Sequence, residues 1–464
     1  MAVDRERVRK ELTRASEAAI DELQAWCDAH RGYRLLEFEE EVRAVRQRLM
    51  GQVMSSLLGG RETEGSAGEV LCDKCGGRMQ DKGEVSRVVV GPEGDVQLSR
   101  RYYYCPSCKE GFFPLDRELG LTRRPWTEMA ERGMARLGSL IPSYRIGAKS
   151  YEELVGLTVS AATLEEVTTL AGQRLREVEK AVALESVALP MIGERGAEPG
   201  SAKEGEPLPE TGHLCVSIDG VTVNTTEGWR DVKVVSISEV RERKKAGRDE
   251  SPVELTNHSY RAGIWDVKQF ANEQWAEAVR RGVEMASRLT TVNDGAPWIW
   301  NLILLCYPAA LQILDWWHVV DRLWKVANLV FGQGTQGASS WVSARKDELW
   351  AGRVAAVLQA LGKLEPESEG AKQEVRLFSE YLRTHAERMR YQEFRELGAP
   401  IGSGTVESAC KNVVGSRMKR GGMRWRVERA EAVLALRCAI LSDRWAEAWE
   451  IQRRQPPIPL RRAA

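Results

Sequence analysis

Three acidic residues and two pairs of cysteines carry most of the chemistry that this 464-residue chain can offer. Asp219 lies in "CVSIDGVTV" (215–223), an apolar alternation that reads as a buried strand interrupted by a carboxylate. Asp294 ends a second apolar run, "LTTVNDGAPW" (289–298), in the same way. Asp-Gly is also ordinary turn chemistry, so either pair taken alone fits a hairpin. On neighbouring strands of a mixed sheet the two carboxylates would instead converge at one edge. Hard oxygen ligands of that kind suit Mg²⁺, and a third acid would complete a two-metal site that activates water and stabilises the leaving oxygen of a phosphodiester. Glu407, in "IGSGTVESACK" (401–411), is the candidate. Gly402-Ser403-Gly404 precedes it and places it in a first helical turn, where the dipole favours the ionised form. A full capping box is ruled out by Gly404, three residues earlier.

Cys72-x-x-Cys75 and Cys105-x-x-Cys108, with 29 residues between them, form two knuckles that can each offer two thiolates to one tetrahedral Zn²⁺. Such a site fixes a small domain and need not touch catalysis. Asp315 and His318, in "DWWH", would share a helix face as a secondary site, binding metal or holding a phosphate. After Glu407, the cations Lys411, Arg417, Lys419, Arg420, Arg424 and Arg426 stand without an acid among them, a local basic surface for DNA backbone. The chain needs a local patch for any anionic partner, because its 67 Lys plus Arg balance 67 Asp plus Glu.

The elements that must position these groups follow from periodicity and breaks. Residues 1–58 read as amphipathic N-terminal helices, 70–115 as a zinc ribbon around short strands, and 120–188 as helical. Within the last, "AKSYEELVGLTVSAATLEEVTTLAGQRL" (148–175) has helix-turn-helix spacing, with Gly156 as the break and Ser160 or Thr163 as the cap. A Pro/Gly/Glu-rich linker spans 189–212. Beyond it come strands at 213–223, 231–238 and 253–264, a helix at 266–287, a strand at 289–293, a helix from Pro297 and a strand at 311–315. This order predicts an α/β layer with a mixed sheet. Residues 316–395 read as an all-helical insertion broken at "GQGTQGASS" and "GKLEPESEG", and 396–450 return to complete the second domain begun at 213–315. Neither a membrane span nor a signal peptide is legible, and nine cysteines are too few for a disulfide scaffold, so a cytoplasmic protein is expected.

The order of these motifs resembles the DDE transposases of bacterial insertion sequences. The matching features are "SIDG" with the first Asp, "VNDGAPW" with the second, a helical insertion, and "GSGTVES" with the Glu. The Kra-type (ISKra-like) group is most similar, through "DGAPWIW", "ILDWWH" and the basic "RMKRGGMRW". Asp315 to His318 also looks like the Asp-x-x-His signature of related transposases. The resemblance implies a ribonuclease-H-like catalytic domain in which Asp219, Asp294 and Glu407 hold two Mg²⁺ or Mn²⁺ ions. It implies an active enzyme that binds the element's double-stranded ends, cleaves them, and transfers the 3′ ends into target DNA as a homodimer or larger assembly. A non-transposing Mg²⁺ nuclease on the same fold, or a zinc-dependent DNA-binding regulator whose acids are turn chemistry, are the alternatives.

Overall fold

The computed structural model describes residues 5–59, 70–186, 211–243 and 253–453. The linker expected at 189–212 therefore lies outside the described residues, apart from 211 and 212. By its internal contacts the chain divides into two compact units, residues 1–171 with 449–464, and residues 172–448. Among the described residues no helix is long and apolar enough to cross a membrane.

The first unit opens with the expected helices, α1 (Arg5–Ala29) and α2 (Leu35–Leu58). A three-stranded antiparallel sheet follows, made of β1 (Gln80–Val89), β2 (Val96–Cys105) and β3 (Glu110–Phe112). Strand β2 alternates strictly over its first half, burying Val96, Leu98 and Arg100. Val89, Val96 and Leu98 pack with Met54 and Leu58 of α2, and the buried Arg100 is paired with Asp116 at 2.5 Å. That aspartate belongs to the short helix α3 (Pro114–Glu118), so the charge is buried with its partner rather than alone. Three further helices, α4 (Glu128–Leu140), α5 (Tyr144–Val155) and α6 (Ala161–Ser186), enclose Met134, Tyr151, Leu164 and Val167. As expected, Gly156 ends α5 in the left-handed region, at φ 77°, and the Ser160 hydroxyl accepts from Thr163 N–H at 3.0 Å to start α6.

The second unit is built on a mixed sheet of five strands: β4 (Thr211–Thr225), β5 (Gly228–Glu242), β6 (Val253–Gly263), β7 (Ala286–Asn293) and β8 (Leu311–Leu314). Their spatial order is β6-β5-β4-β7-β8. The first three form an antiparallel meander, whereas β7 and β8 run parallel to β4. Residues 232–238 of β5 are buried without a break, as expected of a strand covered on both faces. Val235 and Ile237 turn to a core shared with α7 (Val267–Arg280) and α8 (Pro297–Cys306). Val232 and Val234 turn the other way, to a core that includes Val406, Val413 and Leu434.

Helix α7 ends at Arg280 and β7 begins at Ala286, so helix and strand meet earlier than the apolar pattern alone implied. The helical stretch after β8 comprises α9 (Trp316–Phe331), α10 (Gln336–Trp350), α11 (Val354–Gly362), α12 (Glu369–Thr384) and α13 (Tyr391–Glu396). Thr335 caps α10 by accepting from Ala338 N–H at 3.2 Å, which turns most of the expected break "GQGTQGASS" into helix. The chain then returns through α14 (Gly404–Ala409), a π-helical turn (Cys410–Gly415), α15 (Ser416–Met418), α16 (Val427–Leu441) and α17 (Trp445–Arg453).

From Gly172 onward, α6 belongs to this second unit and packs on α16. A Cβ on Gly172 would sit 2.1 Å from the Ala432 carbonyl oxygen, closer than any side chain tolerates. Flanking ion pairs fix the same contact: Arg176 with Glu431 at 2.6 Å, and the buried Arg261 of β6 with Glu179 of α6 and Glu273 of α7. Gly172→Val is expected to destabilise the second unit by about 2–3 kcal/mol through backbone overlap, lowering Tm by roughly 5–10 °C in a thermal melt. A Tm unchanged within a degree would show that α6 does not rest on α16 at this point.

Candidate functional site

The parallel ladder between β4 and β7 runs only as far as Val216 and Thr291. Beyond it β4 continues with β5 alone, and the Asn293 side chain takes over by accepting from Ile218 N–H at 2.7 Å. The carboxyl ends of β4, β7 and β8 thus open onto one edge, where α/β sheets offer room for ligands. Asp219 lies within β4 just past this point, Asp294 is the first residue after β7, and Asp315 is the first after β8.

Each carboxylate is held by its own local device. Asp219 accepts from Gly220 N–H at 2.7 Å and from the Cys410 thiol at 3.3 Å. Asp294 accepts from Ala296 N–H at 2.9 Å, which is the turn chemistry its Asp-Gly sequence announced. Gly295 has a second reason to be glycine, since a Cβ there would lie 2.1 Å from the Tyr381 ring of α12. Asp315 is fully buried and both its oxygens are engaged. One accepts from Ser403 N–H at 2.9 Å; the other accepts from His318 N–H at 3.1 Å and meets His318 Nδ1 at 2.5 Å. Asp315 is therefore the N-cap of α9 rather than a residue on its face, and it orients His318 as a carboxylate orients a metal-binding or proton-carrying imidazole.

The chain returning from the helical stretch docks on this edge. Trp316 N–H donates to the Ile401 carbonyl at 2.9 Å, and four residues after Ser403 the helix α14 brings in Glu407, whose carboxylate lies 3.9 Å from His318 Nδ1. The ligand atoms of Asp315, His318 and Glu407 all fall within 4.8 Å of one another, a grouping that could hold a metal ion. Asp219 and Asp294 lie outside that group, but the same field joins them to it. Burial pushes the Asp219 carboxyl above its ordinary range, Asp294 pushes it further, and the nearby His318 opposes the rise. The hydrogen bond to Asp315 raises His318 to about 9, with Asp294 and Glu407 adding to the effect. His318 is then a cation at neutral pH, offsetting part of the repulsion among four acids.

Cys410, Tyr381 and Asn293 play parts that their sequence positions did not announce. Cys410 falls one turn beyond Glu407, so a helix starting at Gly404 would have put it on the same face, and that spacing was the available signal. Tyr381 and Asn293 reach the edge through tertiary packing alone.

The basic segment needs one correction. Lys411, Lys419, Arg420, Arg424 and Arg426 are exposed, but Arg417 is 1% exposed, with its guanidinium 4.8 Å from the ring centre of Trp425. Arg417 is thus a core residue and not part of the basic surface. The π-helical turn explains why a second cation, Arg437, is buried close by. Its widened geometry leaves carbonyls to be satisfied from outside, and the buried Arg437 of α16 donates to Val413 O at 2.6 Å and to Asn412 O, packing guanidinium groups under the turn. Trp425 joins the end of the β4–β5 hairpin, donating to Asn224 O at 3.0 Å while its carbonyl accepts from Thr226 N–H at 2.8 Å.

In the first unit, Cys72, Cys75, Cys105 and Cys108 close into one cluster. The Cys72–Cys108 and Cys75–Cys105 sulfur separations are 3.8 and 3.6 Å. Four sulfurs at about 2.3 Å around a tetrahedral ion stand about 3.8 Å apart, so the spacing fits a single thiophilic ion. Local backbone builds the knuckles: Gly76 N–H donates to Cys72 O, and Cys108 N–H points at Cys105 Sγ at 3.4 Å. N–H groups of Cys75 and Lys74 hold the Cys72 thiol down to about 7, whereas the contact with Cys75 pushes Cys108 up to about 12, a crowding of sulfurs that a bound cation would relieve.

Neither a family model nor a curated protein matches the chain.

If the cluster is a metal site, the purified protein carries one equivalent of a thiophilic ion by elemental analysis, and Cys105→Ser reduces that content several-fold. Prolonged chelation should leave residues 70–115 susceptible to protease, because a ribbon with so small a core depends on its ion. Full protection of the metal-free protein would overturn this.

Proposed function

We propose that this chain is a DDE-type transposase whose second unit has the ribonuclease-H-like fold. The strand order β6-β5-β4-β7-β8, with an antiparallel meander followed by two parallel strands, supports that fold. The observation that supports the functional reading is that Asp219, Asp294 and Glu407, from segments separated by most of the unit, all act electrostatically on one imidazole, His318, or feel its charge. A regulator whose acids served only as turns would not need Glu407 to return, after a long helical excursion, to within 3.9 Å of an imidazole held by the strand edge.

In this reading Asp219, Asp294 and Glu407 hold Mg²⁺ or Mn²⁺, which supplies a nucleophile from water or a 3′ hydroxyl and neutralises the leaving oxygen. The donor set fits: the ligands are hard oxygens, and the upward push on Asp219 is what a cation would relieve. Asp315 fixes the ring of His318 and keeps a proton on it, leaving a positive group beside the reacting phosphate. The Cys410 thiol holds one oxygen of Asp219 and the Gly220 N–H the other, fixing the orientation of the carboxylate. Both cleavage and end joining are in-line displacements that need positioning and charge neutralisation rather than a protein nucleophile.

The four-cysteine cluster is read as a structural Zn²⁺ site, and either the ribbon or α5–α6 as the part that reads the double-stranded ends. The exposed Lys411, Lys419, Arg420, Arg424 and Arg426 are assigned to DNA backbone, in a protein that works as a dimer or larger when two ends are paired.

The deciding test uses labelled DNA carrying the repeats that flank the gene. Asp219→Ala, Asp294→Ala and Glu407→Ala are each expected to lower Mg²⁺-dependent cleavage and joining by at least about a thousandfold, while DNA affinity stays within a few-fold. Wild-type binding with no cleavage under Mg²⁺ or Mn²⁺ would refute the reading, and cleavage without joining would favour a nuclease on the same fold. Replacing Lys419, Arg420 and Arg424 together by Ala should weaken DNA binding and make the slope of log K against log salt shallower by about 3, at roughly one per phosphate contact. An unchanged slope removes this segment from the interface.

A further inference from the structure

Beside the carboxylate edge stands a cation, Arg322, that has no ion-pair partner among the described residues. Lys233, opposite Gly220 in the β4–β5 ladder, is taken by Asp231 at 3.0 Å. His318 is taken by Asp315. On α9, Lys325 is taken by Glu374 at 2.6 Å. Arg322, four residues after His318 and so on the same side of that helix, makes no ion pair among the described residues. Its guanidinium instead lies over the face of Tyr381, 4.1 Å from the ring centre.

Tyr381 connects this cation to the site. Its ring packs so closely on the turn after Asp294 that only glycine fits at position 295, where a Cβ would stand 2.1 Å from the ring and 2.6 Å from the hydroxyl oxygen. The hydroxyl senses both sides: it is raised to about 12, chiefly by burial and also by Asp294 and Asp315, with Arg322 opposing the rise. A half-buried guanidinium has lost much of its hydration, and a lone aromatic face restores only part of it. With several carboxylates close by, the absence of a partner leaves its planar fork of donors available to an incoming anion. A phosphodiester is the anion that such a fork matches in two-point geometry and that a carboxylate-held cation would also draw in.

We propose that Arg322, seated on the Tyr381 ring beside the Asp294–Gly295 turn, is a phosphate-binding residue that grips the DNA backbone at the carboxylate edge. The inference rests on the transposase reading and adds to His318 a second positive group from the helical stretch, at a site whose other named groups are acids. It also assigns a purpose to the tight packing of Tyr381: the ring sets where the guanidinium stands relative to Asp294.

The test compares full-length wild type, Arg322→Gln, Arg322→Lys and Asp219→Ala on the flanking-repeat duplex, reading Mg²⁺-dependent cleavage, the salt dependence of DNA affinity without chemistry, and Tm. Arg322→Gln is expected to lower cleavage at saturating DNA by about a hundredfold or more, as loss of a charge-stabilising donor does, and to make the salt slope shallower by about 1. Arg322→Lys should recover at least about a tenfold part of the rate, with both variants melting within about 2 °C of wild type. Cleavage and salt slope within twofold of wild type in Arg322→Gln would overturn the proposal, as would a rate loss that follows a fall in Tm and that lysine does not rescue. Equal activity of wild type and Asp219→Ala would instead overturn the transposase reading, and this inference with it.

Discussion

The second unit depends on the buried carboxylate of Asp315. An isolated charge at zero exposure would be strongly unfavourable, yet this one accepts from the Ser403 backbone, the His318 backbone and the His318 ring. The two His318 bonds are the local cap of α9, but the Ser403 bond joins pieces of chain that local propensity cannot bring together: the junction of β8 with α9, and the segment that returns at 401–403. With the Trp316 N–H bond to the Ile401 carbonyl, it gives the helical stretch a fixed point of return and Glu407 a fixed position. Removing one partner of such a group costs more than the bond itself is worth, because the remaining charge is left buried. The constraint is structural and chemical together, since the same carboxylate sets the ring of His318.

The sheet supplies the second constraint. Parallel pairing of β4 with β7 stops at Val216–Thr291, and the Asn293 side chain replaces the next backbone partner. The edge can therefore open without orphaning Ile218 N–H, and Asp219 and Asp294 stand on either side of the opening. Burial and the nearby Asp294 raise the proton affinity of Asp219, a tension that the imidazolium of His318 eases and that a metal ion would remove. The packing behind the edge is equally specific. Arg437 fills the carbonyls of the π-helical turn, Arg417 lies on Trp425, and that turn places Cys410 against Asp219.

The two units hold their candidate metal groups by different means. In the ribbon, sulfur positions come from two short local turns and a hairpin, so a Cys-x-x-Cys spacing nearly suffices to define them. The acidic edge is assembled from residues far apart in sequence, and its geometry is inherited from the packing of a whole sheet and the helices on both its faces.

Sequence by itself determined what is local. Alternation located the five strands of the second unit and the residues at their ends, because burial on one or both faces imposes a period on the side chains. Matched knuckles located the cysteine cluster, and Gly156 with Ser160 located the turn between α5 and α6, since capping chemistry acts over a few residues. Tertiary structure decided the rest. Six cations after Glu407 looked alike as a charge run, and only packing withdrew Arg417, because Trp425 offered its guanidinium a buried face. "DWWH" offered an Asp and a His for one helix face, and only the depth of Asp315 beneath Ser403 made it the cap that aims the ring. Arg322, Tyr381 and Asn293 carried no pattern at all, since what distinguishes them is the company that long-range packing gives them.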